Sequence, residues 1–186
     1  LYRDDKRIAM ISGNLPYQNV FKNNDSYCFS RYTHLWGWAS WRRSWELHDK
    51  TLSFLANFKN IDGFKKTIHN VRERKYWEKI ANKVNSIDTW DYPLLISYWS
   101  QSMLSIVPNV NLVSNIGFGE DATHTKNIES NQNNIKSEKI TFPLIHPKFI
   151  IANKKLDDLT VNYEFSPSLI KRIMYKLNKF FKLNIL

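Results

Sequence analysis

An α/β fold is what this sequence predicts, on three observations. Short apolar runs of strand length lie between polar turns. Stripes of apolar residues at helical spacing separate those runs. Gly, Pro and Asn stand where one pattern gives way to the next.

Residues 7–12 form an apolar run closed by Gly13-Asn14 and predict a buried strand feeding a turn. Residues 19–25 are polar and predict a loop, and residues 26–32 alternate as a second strand. The Trp-rich stretch from His34 to Trp45 follows. Its second half predicts a helix, with Trp41 and Trp45 four residues apart on one face. Gly37, between Trp36 and Trp38, marks a backbone turn or a close approach. Residues 61–82 carry Ile61, Phe64, Ile68 and Val71 as a helical stripe with charges opposite. Residues 91–103 repeat that pattern through Tyr92, Leu95, Ile96, Trp99 and Met103, with Pro93 suited to the first turn. Residues 104–113 predict a strand interrupted at Pro108-Asn109. Residues 115–125 are glycine-bearing and polar, hence a loop. Residues 125–139 are rich in Asn, Ser and Lys and read as mobile. Residues 142–147 read as an extended tether.

The tail, residues 167–186, predicts a basic amphipathic helix. Ile170, Ile173, Met174, Leu177, Phe180 and Phe181 lie on one side, with Lys171, Arg172, Lys176, Lys179 and Lys182 elsewhere, and Ser166 is a fair N-cap. Such a helix fits an anionic membrane surface as well as it fits docking on its own domain. The expected organisation is one domain over 1–150 and an extension over 151–186.

Composition narrows the function classes. Apolar residues make up 42% of 186 residues, too many for a disordered chain. The net charge of +10 suits an anionic partner, or equally a base composition that writes Lys and Asn freely. Cys28 is the single cysteine, so no disulfide within the chain and no cysteine-based zinc site is expected, and a cytoplasmic setting fits. No apolar run reaches the roughly 18 residues of a membrane span. The opening Leu1-Tyr2-Arg3-Asp4-Asp5 has no initiator Met and reads as cut from something longer. No phosphate-binding loop, nucleophile elbow or zinc-protease motif is present. Nor is there any pattern of an RNA- or zinc-finger-type binding domain, so no nucleic-acid partner is expected.

Three clusters can carry chemistry. Asp91, in Asp88-Thr89-Trp90-Asp91 before a helix, is either a general base for a hydroxyl or an ordinary helix-capping carboxylate. Gly117, Gly119, Asp121 and His124 form either a diphosphate- and metal-contacting loop or a plain surface loop. Trp36, Gly37 and Trp38 either stack a sugar or base, or belong to the core.

Taken together and in order, several stretches resemble a bacterial family of nucleotide-diphospho-sugar transferases, described as hemolytic-protein-like or glycosyltransferase family 2-like. They are Tyr2-Arg3-Asp4-Asp5, Ile11-Ser12-Gly13-Asn14, Phe29-Ser30-Arg31, His34 through Arg43, Asp88 through Asp91, Pro108-Asn109, Asn111 through Gly119, and Asp121 through Thr125. The layout is similar to the C-terminal half of the eukaryotic N-acetylglucosaminyltransferase that begins complex N-glycans. The match covers roughly residues 1–150.

The resemblance implies the C-terminal, acceptor-side part of a GT-A fold, with a Rossmann-like mixed sheet, and a role in bacterial polysaccharide biosynthesis. It implies a nucleotide-sugar donor, a glycan or lipid-linked acceptor, and Mn²⁺ or Mg²⁺ held mainly by an Asp-x-Asp-type motif in an N-terminal half that this chain lacks. It places Asp91 as the base of an inverting displacement and His124 at the metal or diphosphate. Gly37 and Trp38 fall near the donor sugar, and Arg42 and Arg43 within reach of phosphate. A membrane contact through residues 167–186 would put the enzyme peripherally on the inner membrane face. The rival reading is a non-catalytic carbohydrate-binding or interaction module from a truncated gene.

Overall fold

The computed structural model describes residues 1–116 and 135–165. They form a mixed α/β fold around a four-stranded sheet. The strands are β1 (Ile8–Ile11), β2 (Tyr27–Ser30), β3 (Ala39–Ser40) and β4 (Leu104–Pro108), in the spatial order β2-β4-β1-β3. β1 runs parallel to β4, pairing Ile11 with Ile106, while β2 is antiparallel to β4, pairing Cys28 with Val107. β3 adds antiparallel to β1 through Met10 and Ser40. β2 is buried along its whole length, although residues 26–32 read as an alternating strand. The Cys28 thiol on it is pushed up to about 12 by burial and is a packing group.

The pairing of β1 with β4 slips between Ile8 and Met10. A slip of this kind changes which side chains share a face. Ile8 accordingly packs with Tyr27, Phe29 and Ile106, whereas Ala9 and Met10 pack with Leu94, Tyr98 and Met103.

The last three of those residues belong to, or directly follow, α5 (Asp91–Ser100), the central helix. Pro93 lies in its first turn, where a missing N–H costs nothing. The expected stripe is only part of the pattern, because Pro93 through Trp99 are all buried. Leu94 and Tyr98 meet the sheet, and Leu95, Ile96 and Trp99 meet Trp77 and Ala81 of the next layer. A helix packed on two sides is apolar on both. Trp77, Trp99 and Tyr32 pack edge to face or tilted, Trp77 and Trp99 with ring centroids 5.0 Å apart. Each such pair adds about 0.5–1.5 kcal/mol beyond its burial.

The single helical stripe expected over 61–82 is corrected by the structure to two helices, which follow a third that ends at Asn60. In chain order the three are α2 (Leu55–Asn60), α3 (Gly63–Thr67) and α4 (Val71–Asn82), preceded by α1 (Arg42–Trp45). Asp62 breaks the first junction with a left-handed φ of 56°. A Cβ at Gly63 would lie 2.3 Å from the Phe58 ring, so the close α2–α3 turn needs glycine there. Asn70 breaks the second junction by capping α4, its side chain accepting from the N–H groups of Arg72 and Glu73. Phe64 and Ile68 are buried as expected, but Ile61 and Val71 are exposed, because the stripe changes direction at each break.

Residues 151–165, read from the sequence as the start of a separate extension, pack into the same body. Asn153 caps α6 (Lys154–Thr160), and a π-helical turn (Val161–Phe165) follows. Leu156 joins Leu15, Phe21, Cys28 and Val107, and Val161 joins the Trp77 cluster. Ala152 bridges Phe29 in parallel, and the Asn153 N–H donates to the Phe29 carbonyl at 2.7 Å.

A polar knot ties β2, α3, α4 and α6 together. Arg31, just after β2, donates from Nε to Asp157 Oδ2 at 2.9 Å, from one terminal nitrogen to the Thr67 carbonyl at 2.7 Å, and from the other to Glu73 Oε1 at 3.3 Å. The Ser30 hydroxyl donates to Asp157 Oδ1 at 2.7 Å, and the Tyr32 hydroxyl to Glu73 Oε1 at 2.5 Å. Burial opposes the charge on Asp157, and the guanidinium and the Ser30 hydroxyl counter it. The basic tail helix expected over 167–186 lies outside the described residues. No helix among the described residues is long and apolar enough to cross a membrane.

Candidate functional site

A cleft of about 660 Å³ opens beside the N-terminus of α5. Asn14, His34, Trp36, Asp91, Tyr92 and Glu164 are among its walls. The wall from residue 33 to 36 is positioned by the polar turn after β1. The Ser12 hydroxyl lies 2.6 Å from the His34 carbonyl, and Asn14 Oδ1 lies 3.0 Å from that hydroxyl and 3.4 Å from the Trp36 N–H. Gly37 then turns the chain with a φ of 59°. A Cβ on it would fall 2.4 Å from Val113 Cγ1, so glycine is required for both the torsion and the contact. Asn111 clasps the same region, accepting from the Leu15 N–H at 2.9 Å and donating to the Val113 carbonyl at 2.6 Å.

Asp91 is the first residue of α5 and is half-buried. Its Oδ1 accepts from the Tyr92 N–H at 2.9 Å and from the Thr89 hydroxyl. Both bonds fall on Oδ1, and Oδ2 takes neither. The helix N-terminus favours a carboxylate at this place. A fixed carboxylate with one oxygen held and the other uncommitted can take a proton from a hydroxyl in the cleft.

Two further titratable groups share the cleft. His34 is only 4% exposed, and burial pushes its imidazole down to about 4, so it is neutral at neutral pH. Its Nε2 has no hydrogen-bond partner. Glu164 is exposed over the residue as a whole, while its carboxyl group is buried and accepts from the Tyr17 hydroxyl. Burial pushes the carboxyl up to about 7, with the Tyr17 bond acting the other way. Burial first, and the Glu164 charge second, push the Tyr17 phenol far above its ordinary value, so it serves as a donor.

These groups give stability a pH dependence of two opposite signs. The His34 pKa is lower folded than unfolded. Between about 6.5 and 4 the unfolded chain therefore binds the extra proton, and stability is lost as pH falls through that window. The Glu164 pKa is raised. Its contribution is fully present below about 4.5 and is lost as pH rises through about 7. Replacing His34 with Leu is expected to flatten the acid limb of melting temperature against pH. Replacing Glu164 with Gln is expected to raise the melting temperature above pH of about 7 while leaving it unchanged below about 4.5. Unaltered profiles in both variants would remove these two groups as the cause.

Of the residues singled out in the sequence, the cleft brings together Trp36 and Asp91. Gly37 holds the adjoining turn. Trp38 leaves the cleft wall and packs on Trp45 and Trp90. Arg42 is exposed at the start of α1 and does not line the cleft. Arg43 faces neither water alone nor a phosphate site. Its guanidinium donates to the carbonyls of Tyr2, Arg3, Asp5 and Ile8 and lies over the Trp41 ring, which fixes the N-terminal segment to α1. Gly117, Gly119, Asp121 and His124 lie outside the described residues. Among the described residues no group of three or more His, Cys, Asp or Glu side chains could hold a metal ion. His34 and Glu164 carry no local sequence signal for a titratable role in the site: His34 opens the Trp-rich stretch that shares in the resemblance, and Glu164 follows α6 in the chain. No protein-family model, curated protein or solved structure matches this chain.

Proposed function

We propose that this chain is the acceptor-side part of a GT-A-type, nucleotide-sugar-dependent glycosyltransferase, with Asp91 as the base. The observation that carries this reading is the Asp91 carboxylate, fixed through Oδ1 at the mouth of α5 and opening on a cleft of about 660 Å³. That volume lies within the range of about 300–1,000 Å³ usual for small-molecule sites. The lining mixes aromatic faces with hydrogen-bonding groups, which is the chemistry a sugar ring presents in turn. The order of motifs from Tyr2 to Thr125 supports the same reading.

In this mechanism an acceptor hydroxyl enters the cleft and hydrogen-bonds to Asp91 Oδ2. The hydroxyl oxygen forms the new bond to the anomeric carbon of the donor as its proton passes to Asp91. The bond from that carbon to the nucleoside diphosphate breaks on the opposite side, and the diphosphate leaves with the electron pair, inverting the centre. Trp36 and Tyr92 orient the acceptor, and His34, kept neutral by burial, adds no charge to the wall. The donor's diphosphate and its Mn²⁺ or Mg²⁺ would, in this reading, be held mainly by residues that are not among these 186.

The test is release of nucleoside diphosphate from UDP- and GDP-sugars by the natural gene product that carries this chain, with Mn²⁺ and a bacterial glycan acceptor. Acceptor-dependent release is expected. No release across the donor panel would overturn the reading. In parallel, calorimetric titration of these 186 residues with the same donors is expected to show no binding. Metal-dependent binding there would move the donor site into this chain.

A further inference from the structure

Trp38 and Trp45, from the Trp-rich stretch, come together with Trp90 from the start of α5. The Trp38 ring lies 6.0 Å from Trp45 with planes 26° apart, and 5.6 Å from Trp90 at 31°. Trp45 and Trp90 lie 6.0 Å apart, inclined at 56°, so they do not close face to face. Trp38 is rooted in the core, packed against the cluster of Met10, Leu94 and Tyr98. Trp45 and Trp90 rest on it and remain 45% and 42% exposed. The contrast within the molecule is sharp, since Trp77 and Trp99 are 0% and 1% exposed. Two large rings held in place without being buried are already ordered for contact with a ligand, at low further entropic cost.

The cluster neighbours the cleft along the chain: Trp90 directly precedes Asp91, and Trp38 follows Trp36 by two residues, and both Asp91 and Trp36 line the cleft. The His48 ring packs on Trp45 at 5.2 Å with its Nε2 buried, and so helps to hold that ring in place. Flat, partly exposed aromatic faces match a pyranose, whose axial C–H face is apolar and whose rim carries hydroxyls.

We infer that Trp38, Trp45 and Trp90 form a saccharide-stacking subsite that holds the sugar residue next to the one presented to Asp91. The acceptor is then an oligosaccharide of at least two rings, with the reacting ring in the cleft and its neighbour on Trp90 and Trp45. The identity of the ligand rests on the glycosyl-transfer reading. The platform itself rests on the ring geometry.

The experiment titrates the full chain with cellotriose, chitotriose and maltotriose by calorimetry. The wild type is compared with the double variants Trp45→Ala/Trp90→Ala and Trp45→Phe/Trp90→Phe. At least one saccharide is expected to bind. The alanine pair is expected to weaken it roughly tenfold or more, the loss of about 1.4 kcal/mol. The phenylalanine pair keeps a stacking face, is expected to retain most of the affinity, and separates a binding loss from a folding loss. Unchanged affinity in the alanine pair overturns the inference, as does the absence of binding by all three saccharides. Binding to phosphatidylcholine vesicles in place of saccharide also overturns it. In the natural gene product the alanine pair raises KM for the acceptor far more than it lowers kcat. Asp91-dependent release of nucleoside diphosphate, with saccharide affinity indifferent to the two tryptophans, would remove the platform and leave the transferase reading standing.

Discussion

Asparagine at position 91 is expected to slow sugar transfer by roughly 10²- to 10⁴-fold, the usual contribution of a positioned general base. It is expected to leave folding stability within about 0.5 kcal/mol. The two halves of this prediction come from the two oxygens of one side chain. Oδ1 accepts from the Thr89 hydroxyl and the Tyr92 N–H, and an amide oxygen accepts from both equally well. The proton-accepting capacity is the part that asparagine cannot supply. Transfer under single-turnover conditions and denaturant unfolding, measured on the same preparation, check both halves. Turnover within a few-fold of wild type would remove Asp91 as the base. A large loss of stability would make it a structural cap.

The largest effect on folding is expected at Arg31. Its guanidinium meets Asp157 and Glu73, which are 1% and 3% exposed, and also the Thr67 carbonyl. Methionine at this position leaves two buried carboxylates without their counter-charge, a change that typically costs about 3–5 kcal/mol. Whole-domain stabilities are about 5–15 kcal/mol, so the variant would sit close to unfolding at physiological temperature. Urea titration reads the loss directly as a lower midpoint at unchanged slope. Replacing Arg31, Asp157 and Glu73 together by apolar residues is expected to recover much of the loss, since no buried charge then remains unpaired. A single-variant loss below about 1 kcal/mol would mean that water reaches the knot and screens it. Activity should fall along with stability, because the knot anchors α6 to β2 and Glu164 of the cleft follows α6 in the chain.

The strands and the central helix were legible in the sequence because their signals are local. Apolar runs closed by turn residues mark β1 and β4, an alternating run marks β2, and Pro93 with its apolar neighbours marks α5. The start of the stripe at α3 was not legible, because it depends on a left-handed Asp62 and on Phe58 lying against Gly63, and its break before α4 rests on the Asn70 cap. β3 escaped notice for another reason. Two residues carry no periodicity, and Ala39–Ser40 is a strand only because β1 lies beside it. In the candidate site, Asp91 and Trp36 could be read from their motifs. His34 could not, since its depressed pKa comes from burial by a fold that brings it to the turn after β1. Glu164 likewise gains its raised pKa from burial beside Tyr17, which is distant in sequence. The three-tryptophan platform combines both cases. Each ring was visible in the sequence, but only tertiary packing brings Trp90 onto Trp38.

The outer strands of the sheet bear on how copies of this chain behave when crowded together. A long, flat outer strand offers a row of free N–H and C=O groups onto which another molecule can add, and this is a common start of aggregation. Here one outer strand, β3, is only two residues long. The other, β2, has its outward side met by Ala152, with the Phe29 carbonyl already taken by the Asn153 N–H. Neither margin presents a template of useful length. Among the described residues the sheet therefore offers little for strand-by-strand association for as long as residues 152–153 remain seated against β2.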